Sequence, residues 1–219
     1  MRRARISAEN RHQQILAVAT DLFARQGFAG TTTRQVAERA GVTEALIFRH
    51  FPRKQDLYWA VLEYKCRATD RHAQLRGMLR NGPGDEAVFA SIAEDILRRN
   101  TEDTTLGRLL LFSALEQHKL SQRFFRTHIA ESYEILARYI RERIRKGEFR
   151  RVDPLLAARG FLGMVVYHFL IQELFGAKHQ QQFDIRKTSE VLARIWLDGM
   201  QTRNGRGLRR IQSRARRLS

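Results

Sequence analysis

Apolar residues recur at helical spacing along almost the whole chain, and no segment has the regular alternation of a β-strand. Over residues 8–26, one helical face carries Ile15, Ala19, Leu22 and Phe23. Gly27 follows directly, and glycine commonly closes a helix because it adopts left-handed backbone angles without strain. The pattern predicts an all-α protein of about nine helices.

Two short helical patterns follow, separated by a single glycine. A T-x-x-Q capping box at Thr32 and Gln35 predicts a second helix that runs to about residue 40. Gly41 supplies a tight turn, and Thr43 is a suitable N-cap for a third helix, which ends near Pro52. Two short helices joined by such a turn form a helix-turn-helix motif, at about residues 32–51, whose second helix enters the major groove of DNA.

The third helix has a core face and an outward face. With about 100° between successive residues, Ile47 and Phe51 share the core face. The positions that point elsewhere are Ala45, Leu46, Phe48 and Arg49. We expect Leu46 and Phe48 to be exposed in the monomer. Exposed apolar groups are reasonable against base edges, where they can contact the thymine methyl group.

Basic side chains stand at the starts of two helices. Lys54 begins a fourth pattern, which predicts a long helix towards Met78 that connects two bodies of the protein. Arg34 lies beside Thr33 in the first turn of the second helix. Free N–H groups and the helix dipole favour an anion at helix starts, and a threonine hydroxyl can donate to a phosphate oxygen. These three residues are therefore candidate phosphate contacts, although any one of them alone would be an ordinary surface residue.

The second half of the chain begins after the break "NGPGD" at residues 81–85. Helical patterns then occupy about 85–99, 104–117, 121–146, 153–175 and 186–201. Asp153 and Pro154 form a strong start signal, and the helix that follows is apolar on all sides. Such a helix needs several partners. We expect a homodimer in which helices 153–175 and 186–201 form an isologous four-helix interface.

The charge balance restricts the partners. Forty Lys+Arg against 23 Asp+Glu give a net charge of +17 and a pI near 11.2, which favours nucleic acid over an anionic membrane. Residues 203–219 contain seven arginines and no acid, and we expect a basic, disordered tail there. The longest apolar run, residues 160–171, is too short to cross a bilayer, so it is interpreted as a buried helix and no membrane partner is expected.

Several classes of chemistry lack support in the sequence. Cys66 is the only cysteine, so an intrachain disulfide is impossible and a cytoplasmic protein is the simpler interpretation. No nucleophile motif, phosphate-binding loop or H-E-x-x-H motif occurs, so we do not expect an enzyme. The histidines of the second half lack the i, i+4 spacing of a metal site, and neither a metal nor a cofactor is expected.

The stretch "TTTRQVAERAGVTEALIFRHFPRKQDL" after "ILAVATDLFARQGFAG" resembles the N-terminal domain of the TetR family of bacterial transcriptional regulators. The resemblance covers about residues 11–62 and includes the pattern "G-V-x-x-x-x-[LI]-[YF]-x-[HY]-F-x-x-K". In the second half, "RLLLFSALEQH" and "DPLLAARGFLGMVVYHFLIQELFG" look like helices of the effector-binding and dimerisation domain of that family. The implied division is a DNA-binding domain at residues 8–68, a helical ligand-binding and dimerisation domain at 69–202, and the tail at 203–219.

The resemblance implies roles for individual residues. Thr33 and Arg34 match positions that contact the DNA backbone and sometimes bases. The recognition helix begins with Thr43, Glu44, Ala45 and Leu46, and the phosphate-contacting positions are Phe48, His50 and Lys54. Two residues depart from what is usual: tyrosine is commoner than phenylalanine at position 48, and Glu44 would accept from cytosine N4 but repel phosphate.

The resemblance also implies a function. We expect a repressor that leaves a palindromic operator in double-stranded DNA when a largely apolar small molecule binds. Candidate ligand-binding residues are polar groups within apolar helices: Glu116, His118, Tyr133, Tyr167, His168 and Gln172. A core or surface role is equally open for each of them. An effector pocket is expected between the helices near 106–118, 121–138 and 161–172. The alternative function is a non-specific nucleic-acid-binding or architectural protein, which fits the charge but not the large apolar second half.

Overall fold

The computed structural model describes residues 8–67, 70–116 and 119–202. These ranges are almost entirely helical, and within them β-structure is confined to an isolated bridge between Phe149 and Gln201. The α-helices are α1 (Ala8–Gly30), α2 (Thr33–Ala40), α3 (Glu44–His50), α4 (Lys54–Arg67), α5 (Arg71–Asn81), α6 (Asp85–Glu102), α7 (Thr105–Leu115), α8 (Lys119–Phe124), α9 (Ala130–Arg145), α10 (Pro154–Phe169) and α11 (Ile185–Met200). The all-α prediction is confirmed.

The described residues also contain three short helical turns that are not α-helices. Turns of π-helix at Phe125–Ile129 and Leu170–Leu174 follow α8 and α10, and a short 3₁₀ turn spans Ala177–His179. The predicted basic tail at 203–219 and the ligand candidate His118 lie outside the described residues.

The predicted long fourth helix from Lys54 towards Met78 is wrong, because the structure contains two helices there. α4 ends at Arg67, Asp70 is not helical, and α5 begins at Arg71. Residues 68 and 69 lie outside the described residues. Aspartate is a favoured residue just before a helix, so Asp70 is a start signal inside the stretch that apolar periodicity alone joins into one helix.

The described helices form two compact units. The first unit contains α1 to α4 together with α7 and α8, and the second contains α5, α6, α9, α10 and α11. The division expected from the sequence, with a boundary after residue 68, placed α7 and α8 with the second body. In the structure, α7 packs against α1 and α4 of the helix-turn-helix unit.

The core of the first unit forms around α1. Its predicted inward face is buried, with Ile15, Ala19, Leu22 and Phe23 at most 3% exposed. The other helices of this unit contribute fully or almost fully buried side chains: Val36, Ala37, Ile47, Phe51, Leu57, Tyr58, Val61 and Leu62. Helical spacing therefore identified this face correctly, and α1 packs against α2, α4 and α7.

An aromatic cluster lies at the centre of the second unit. The ring of Phe89 stacks on Trp196 with 4.4 Å between centroids and meets Phe161 edge-on at 4.8 Å. Phe149 packs edge-on against Trp196 at 5.8 Å. The indole nitrogen of Trp196 donates to the carbonyl oxygen of Ala157 at 3.2 Å, so its polar atom is satisfied within the core.

The predicted start of α10 is confirmed, and its burial is one-sided. Asp153 caps the helix by accepting from Leu156 N, with Pro154 in the first turn. The buried residues are Ala158, Phe161, Leu162, Val165 and Phe169. Together α10 and the π-helical turn that follows it span the 21 residues Pro154–Leu174, and an 18-residue window within them has a mean hydropathy of 1.5. By length and composition this stretch is long and apolar enough to cross a membrane, whereas the run 160–171 was interpreted as too short. This is weak evidence for a membrane span, because core helices of soluble proteins can be as long and apolar.

Candidate DNA-binding surface

The helix-turn-helix is held by local hydrogen bonds that were predicted from the sequence. Thr32 accepts from Gln35 N at 3.1 Å while the Gln35 side chain accepts from Thr32 N at 2.8 Å, so the capping box is confirmed. Gly41 has φ of +63°, the left-handed conformation that lets the chain turn between α2 and α3. Thr43 caps α3 by accepting from Leu46 N at 3.3 Å.

The outward face of α3 is largely as expected. Ile47 is fully buried, whereas Phe48 is 43% exposed and Ala45 and Arg49 are exposed. Leu46 is only half-buried, so the expectation that it is exposed is wrong. It lies about 100° from Ile47, at the edge of the apolar face, where a side chain is partly covered by the neighbouring element.

The starts of α2 and α3 are joined by a side-chain hydrogen bond. The hydroxyl of Thr33 donates to a carboxylate oxygen of Glu44, and both side chains are half-buried. The pair fixes the direction of the Glu44 carboxylate. It also occupies the Thr33 hydroxyl hydrogen that was expected to reach a phosphate, so in this arrangement Thr33 has no second hydrogen to donate.

Arg34 forms an exposed ion pair along α2. Its Nε atom lies 2.9 Å from a carboxylate oxygen of Glu38, one helical turn away. The hydrogen bond to Glu38 raises the pKa of the Arg34 guanidinium, which is charged at any physiological pH. Exposed pairs at this spacing contribute little to stability, so a phosphate can replace Glu38 at little cost.

His50 lies at the end of α3 beside a second histidine. Its ring meets His12 edge-on at 5.7 Å between centroids, and His12 packs on Phe51 at 4.9 Å. Burial lowers the pKa of His50, and the proximity of His12 and Arg49 lowers it further. A neutral imidazole donates one hydrogen bond, so His50 can contact a phosphate without a full charge.

Lys54 is the first residue of α4, and it lies over an aromatic ring. Its ammonium nitrogen is 4.3 Å from the centroid of Phe28, a cation–π contact within the first unit. Burial lowers the pKa of Lys54, and the carboxylate of Glu116 raises it in part. The side chain is half-buried and held in place, rather than extended freely into solvent.

Helix α7 supplies contacts to the DNA-binding unit that the sequence did not reveal. The buried hydroxyl of Tyr58 donates to the carbonyl oxygen of Leu109 at 2.7 Å. Arg108 Nε donates to the carbonyl oxygen of Ala24, also at 2.7 Å. Each contact joins residues more than fifty positions apart, and no local pattern encodes such a pairing. The apolar composition of α7 indicated only that it packs against something.

The candidate ligand-binding residues do not share one location. Glu116 lies in the first unit and accepts from the backbone N–H of Ala29 at 3.2 and 3.3 Å. Tyr133 and Gln172 are half-buried in the second unit, whereas Tyr167 is 66% exposed. His168 is half-buried next to the ring of Phe183, and burial lowers its pKa.

One group in the second unit has the connectivity of a serine hydrolase triad but not its chemistry. His72 Nδ1 lies 3.2 Å from Glu131 Oε2, and His72 Nε2 lies 3.1 Å from Ser132 Oγ. Nε2 is also 3.0 Å from the carbonyl oxygen of His128, which can only accept. Nε2 therefore carries a hydrogen and cannot act as the base for Ser132. Arg76 also pairs with Glu131, so the group is a contact between α5 and α9.

Comparison with known proteins agrees with this architecture in both units. Residues 15–61 match the family described as "Bacterial regulatory proteins, tetR family", and residues 90–196 match "AefR-like transcriptional repressor, C-terminal domain". The HTH-type transcriptional repressor Rv3405c of Mycobacterium tuberculosis is 50% identical, over 46% of this chain and 66% of its own length. The HTH-type transcriptional regulator AcrR of Shigella flexneri is 26% identical, over 90% of this chain and 92% of its own length.

Solved structures share the fold at low sequence identity. NalD of Pseudomonas aeruginosa, the secondary repressor of the MexAB-OprM efflux pump, aligns with a TM-score of 0.69 at 18% identity over 90% of this chain and 100% of its own. FadR of Bacillus subtilis, solved with stearoyl-CoA, aligns with a TM-score of 0.66 at 17% identity over 86% and 98%. The two family matches, the relatives and the helix-turn-helix geometry agree: this chain belongs to the TetR family of bacterial regulatory proteins.

Proposed function

We propose that the protein is a sequence-specific DNA-binding repressor of transcription that acts in the cytoplasm as a homodimer. A palindromic operator is its DNA partner, and a largely apolar small molecule releases it. The observation that carries the proposal is the outward face of α3, where Ala45, Phe48 and Arg49 are exposed on a helix whose other side is locked into a core. A rigid helix with this face suits the major groove.

Each DNA-binding residue has a proposed role that follows from its position. The side chains for base edges are Thr43, Glu44, Ala45 and Leu46 at the start of α3. The side chains for the phosphate backbone are Arg34, Phe48, Arg49, His50 and Lys54. Thr33, which donates its hydroxyl hydrogen to Glu44, is proposed to orient that carboxylate. Because Thr33 holds Glu44 in one direction, Glu44 is the sharpest candidate for base specificity: its free oxygen can accept from cytosine N4.

The dimer is proposed from the apolar surface that the second unit leaves open. The large exposed apolar side chains of α10 and α11 are Leu156, Val166, Tyr167, Val191 and Ile195. A helix pair that exposes this many apolar groups in a single chain is expected to bury them against a second copy. Gly163 lies on the same outward side of α10, and a Cβ atom there would meet nothing within 4 Å.

The effector is proposed to bind the second unit. Two proteins of the same fold were solved with ligands that have large apolar parts: FadR with stearoyl-CoA and SmeT with triclosan. The polar residues proposed to contact an effector in this chain are Tyr133, His168 and Gln172. Tyr167 is 66% exposed and belongs to the surface proposed for the dimer, so it is not proposed for this role. We no longer propose Glu116 for this role, because it lies in the first unit with a backbone partner.

The experiment is selection of bound sequences from random duplex DNA with the purified full chain. A single enriched palindrome, bound ~10³-fold or more tightly than random duplex, supports a specific regulator. Uniform affinity for all duplexes would instead support the alternative of a non-specific nucleic-acid-binding protein, to which the net charge of +17 also points.

The residue roles are tested with the selected operator. Lys54→Ala is expected to weaken binding to every sequence and to reduce the salt slope by roughly one unit, whereas Glu44→Ala is expected to change the preferred bases. A changed base preference in Lys54→Ala, with none in Glu44→Ala, would reverse the assignment of the two roles.

A further inference from the structure

The turn at the end of α1 contacts Glu116, a residue outside the proposed DNA interface. Gly27 has φ of +75°, which breaks the helix just before Phe28 and Ala29. The N–H of Ala29 donates to both carboxylate oxygens of Glu116, at 3.2 and 3.3 Å. A charged acceptor makes such a hydrogen bond stronger than a neutral acceptor does.

The fit between this turn and the end of α7 is close. A Cβ atom added to Gly27 would lie 2.4 Å from Glu116 Oε1 and 3.0 Å from the ring of Phe112. With any larger residue the Glu116 carboxylate would have to move, and only glycine adopts these backbone angles without strain. The missing side chain of Gly27 and its positive φ therefore both allow Glu116 to lie against the turn.

The other side of the turn leads to the proposed phosphate contact. Phe28 is fixed by Tyr58, whose ring it meets edge-on at 5.4 Å, and it carries the Lys54 ammonium at 4.3 Å. If the backbone at Ala29 moves, the ring of Phe28 moves with it, because the two residues are adjacent. The position of Lys54 at the start of α4 thus depends on the position of Glu116.

We infer that Glu116 is a positioning residue for DNA binding, which holds the Gly27–Gly30 turn so that Phe28 presents the Lys54 ammonium to a phosphate. This inference rests on the proposed function and deepens it. The negative charge of Glu116 would by itself oppose a phosphate. Removal of that charge alone is therefore expected to raise the affinity for DNA, whereas loss of the turn is expected to lower it. The sign of the change in affinity distinguishes the two effects.

The first test uses the free protein and needs no operator. In protein labelled with ¹³C-lysine, the ε-methylene resonance of Lys54, identified by its loss in Lys54→Ala, is expected upfield because the group lies over the ring of Phe28. Glu116→Ala is expected to return it to the position of an exposed lysine. Glu116→Gln is expected to keep it upfield, since an amide oxygen still accepts from Ala29. An unchanged resonance in Glu116→Ala would overturn the inference.

The second test measures operator affinity and its salt dependence. Glu116→Ala is expected to weaken operator binding about 10-fold and to reduce the salt slope by about one unit, as Lys54→Ala does. The double variant is expected to bind no more weakly than Lys54→Ala alone, because both changes remove one contact. Glu9→Ala makes the same change in net charge at an exposed carboxylate of α1 and serves as the control.

The two tests separate this inference from the proposed function. Additive losses in the double variant would mean that Glu116 supports the fold without acting through Lys54, and would overturn the inference. If the wild-type chain prefers no DNA sequence, the proposed function fails, while the lysine resonance still decides whether Glu116 positions Lys54. A circular dichroism melt of each variant verifies that it is folded at the temperature of measurement.

Discussion

The proposed dimer gives a sharp prediction at Gly163 on the outward face of α10. Gly163→Gln is expected to stabilise α10 itself, because glycine lowers the stability of a helix interior by about 0.5–1 kcal/mol relative to an ordinary residue. No atom lies within 4 Å of the added Cβ, so the single chain accommodates the change. A dimer that packs α10 against its copy receives two extra side chains in one closely packed interface.

The expected loss of dimerisation free energy in Gly163→Gln is the cost of overpacking, which is about 1–3 kcal/mol in well-packed apolar contacts. Since 1.4 kcal/mol corresponds to a factor of ten, the dissociation constant of the dimer is expected to rise roughly 5-fold to 150-fold. Sedimentation equilibrium over a range of protein concentrations measures this constant directly. Operator affinity is expected to fall as well, because two half-sites must be occupied together.

Gly77→Gln in α5 is the matched control. A Cβ at Gly77 also meets nothing within 4 Å, so the same substitution is made at a helical glycine away from α10 and α11. The control is expected to dimerise as the wild-type chain does. If Gly163→Gln and Gly77→Gln give the same dissociation constant as the wild type, the outward face of α10 is not the dimer contact and the proposal fails.

Three further predictions concern stability, measured as the free energy of unfolding in urea. Thr32→Ala removes the cap of α2 and is expected to cost about 1 kcal/mol, and a loss below about 0.3 kcal/mol would contradict the role of the capping box. Tyr58→Phe removes the side-chain donor to the carbonyl oxygen of Leu109 and is expected to cost about 0.5–1.5 kcal/mol, whereas Tyr64→Phe, at a residue that is 45% exposed, is expected to cost nothing measurable. Burial lowers the pKa of His50 and His168 below the ordinary value of 6.5, so the unfolded chain binds protons that the folded chain does not. The contribution of these two histidines to the free energy of unfolding is therefore fully present above about pH 6.5. It falls as the pH decreases through that value towards the lowered pKa values. The double variant His50→Gln/His168→Gln is expected to lose part of this dependence of the free energy of unfolding on pH.

Local signals in the sequence determined the helix-turn-helix almost completely. The Thr32 box, the left-handed Gly41 and the Thr43 cap each depend on backbone groups within four residues, and each is present as predicted. The buried face of α1 follows from helical periodicity alone. The family resemblance was confirmed because these same local features make up its signature.

Only the tertiary structure decided which remote helices complete the DNA-binding unit. Apolar composition marked α7 as a packed helix, but its partners on α1 and α4 depend on shape complementarity between segments far apart in the chain. For the same reason the contact of Glu116 with Ala29 was not predicted, and Leu46 was expected in solvent and is half-buried. A sequence states what each residue can bond, whereas the packing of remote side chains decides which of those bonds form.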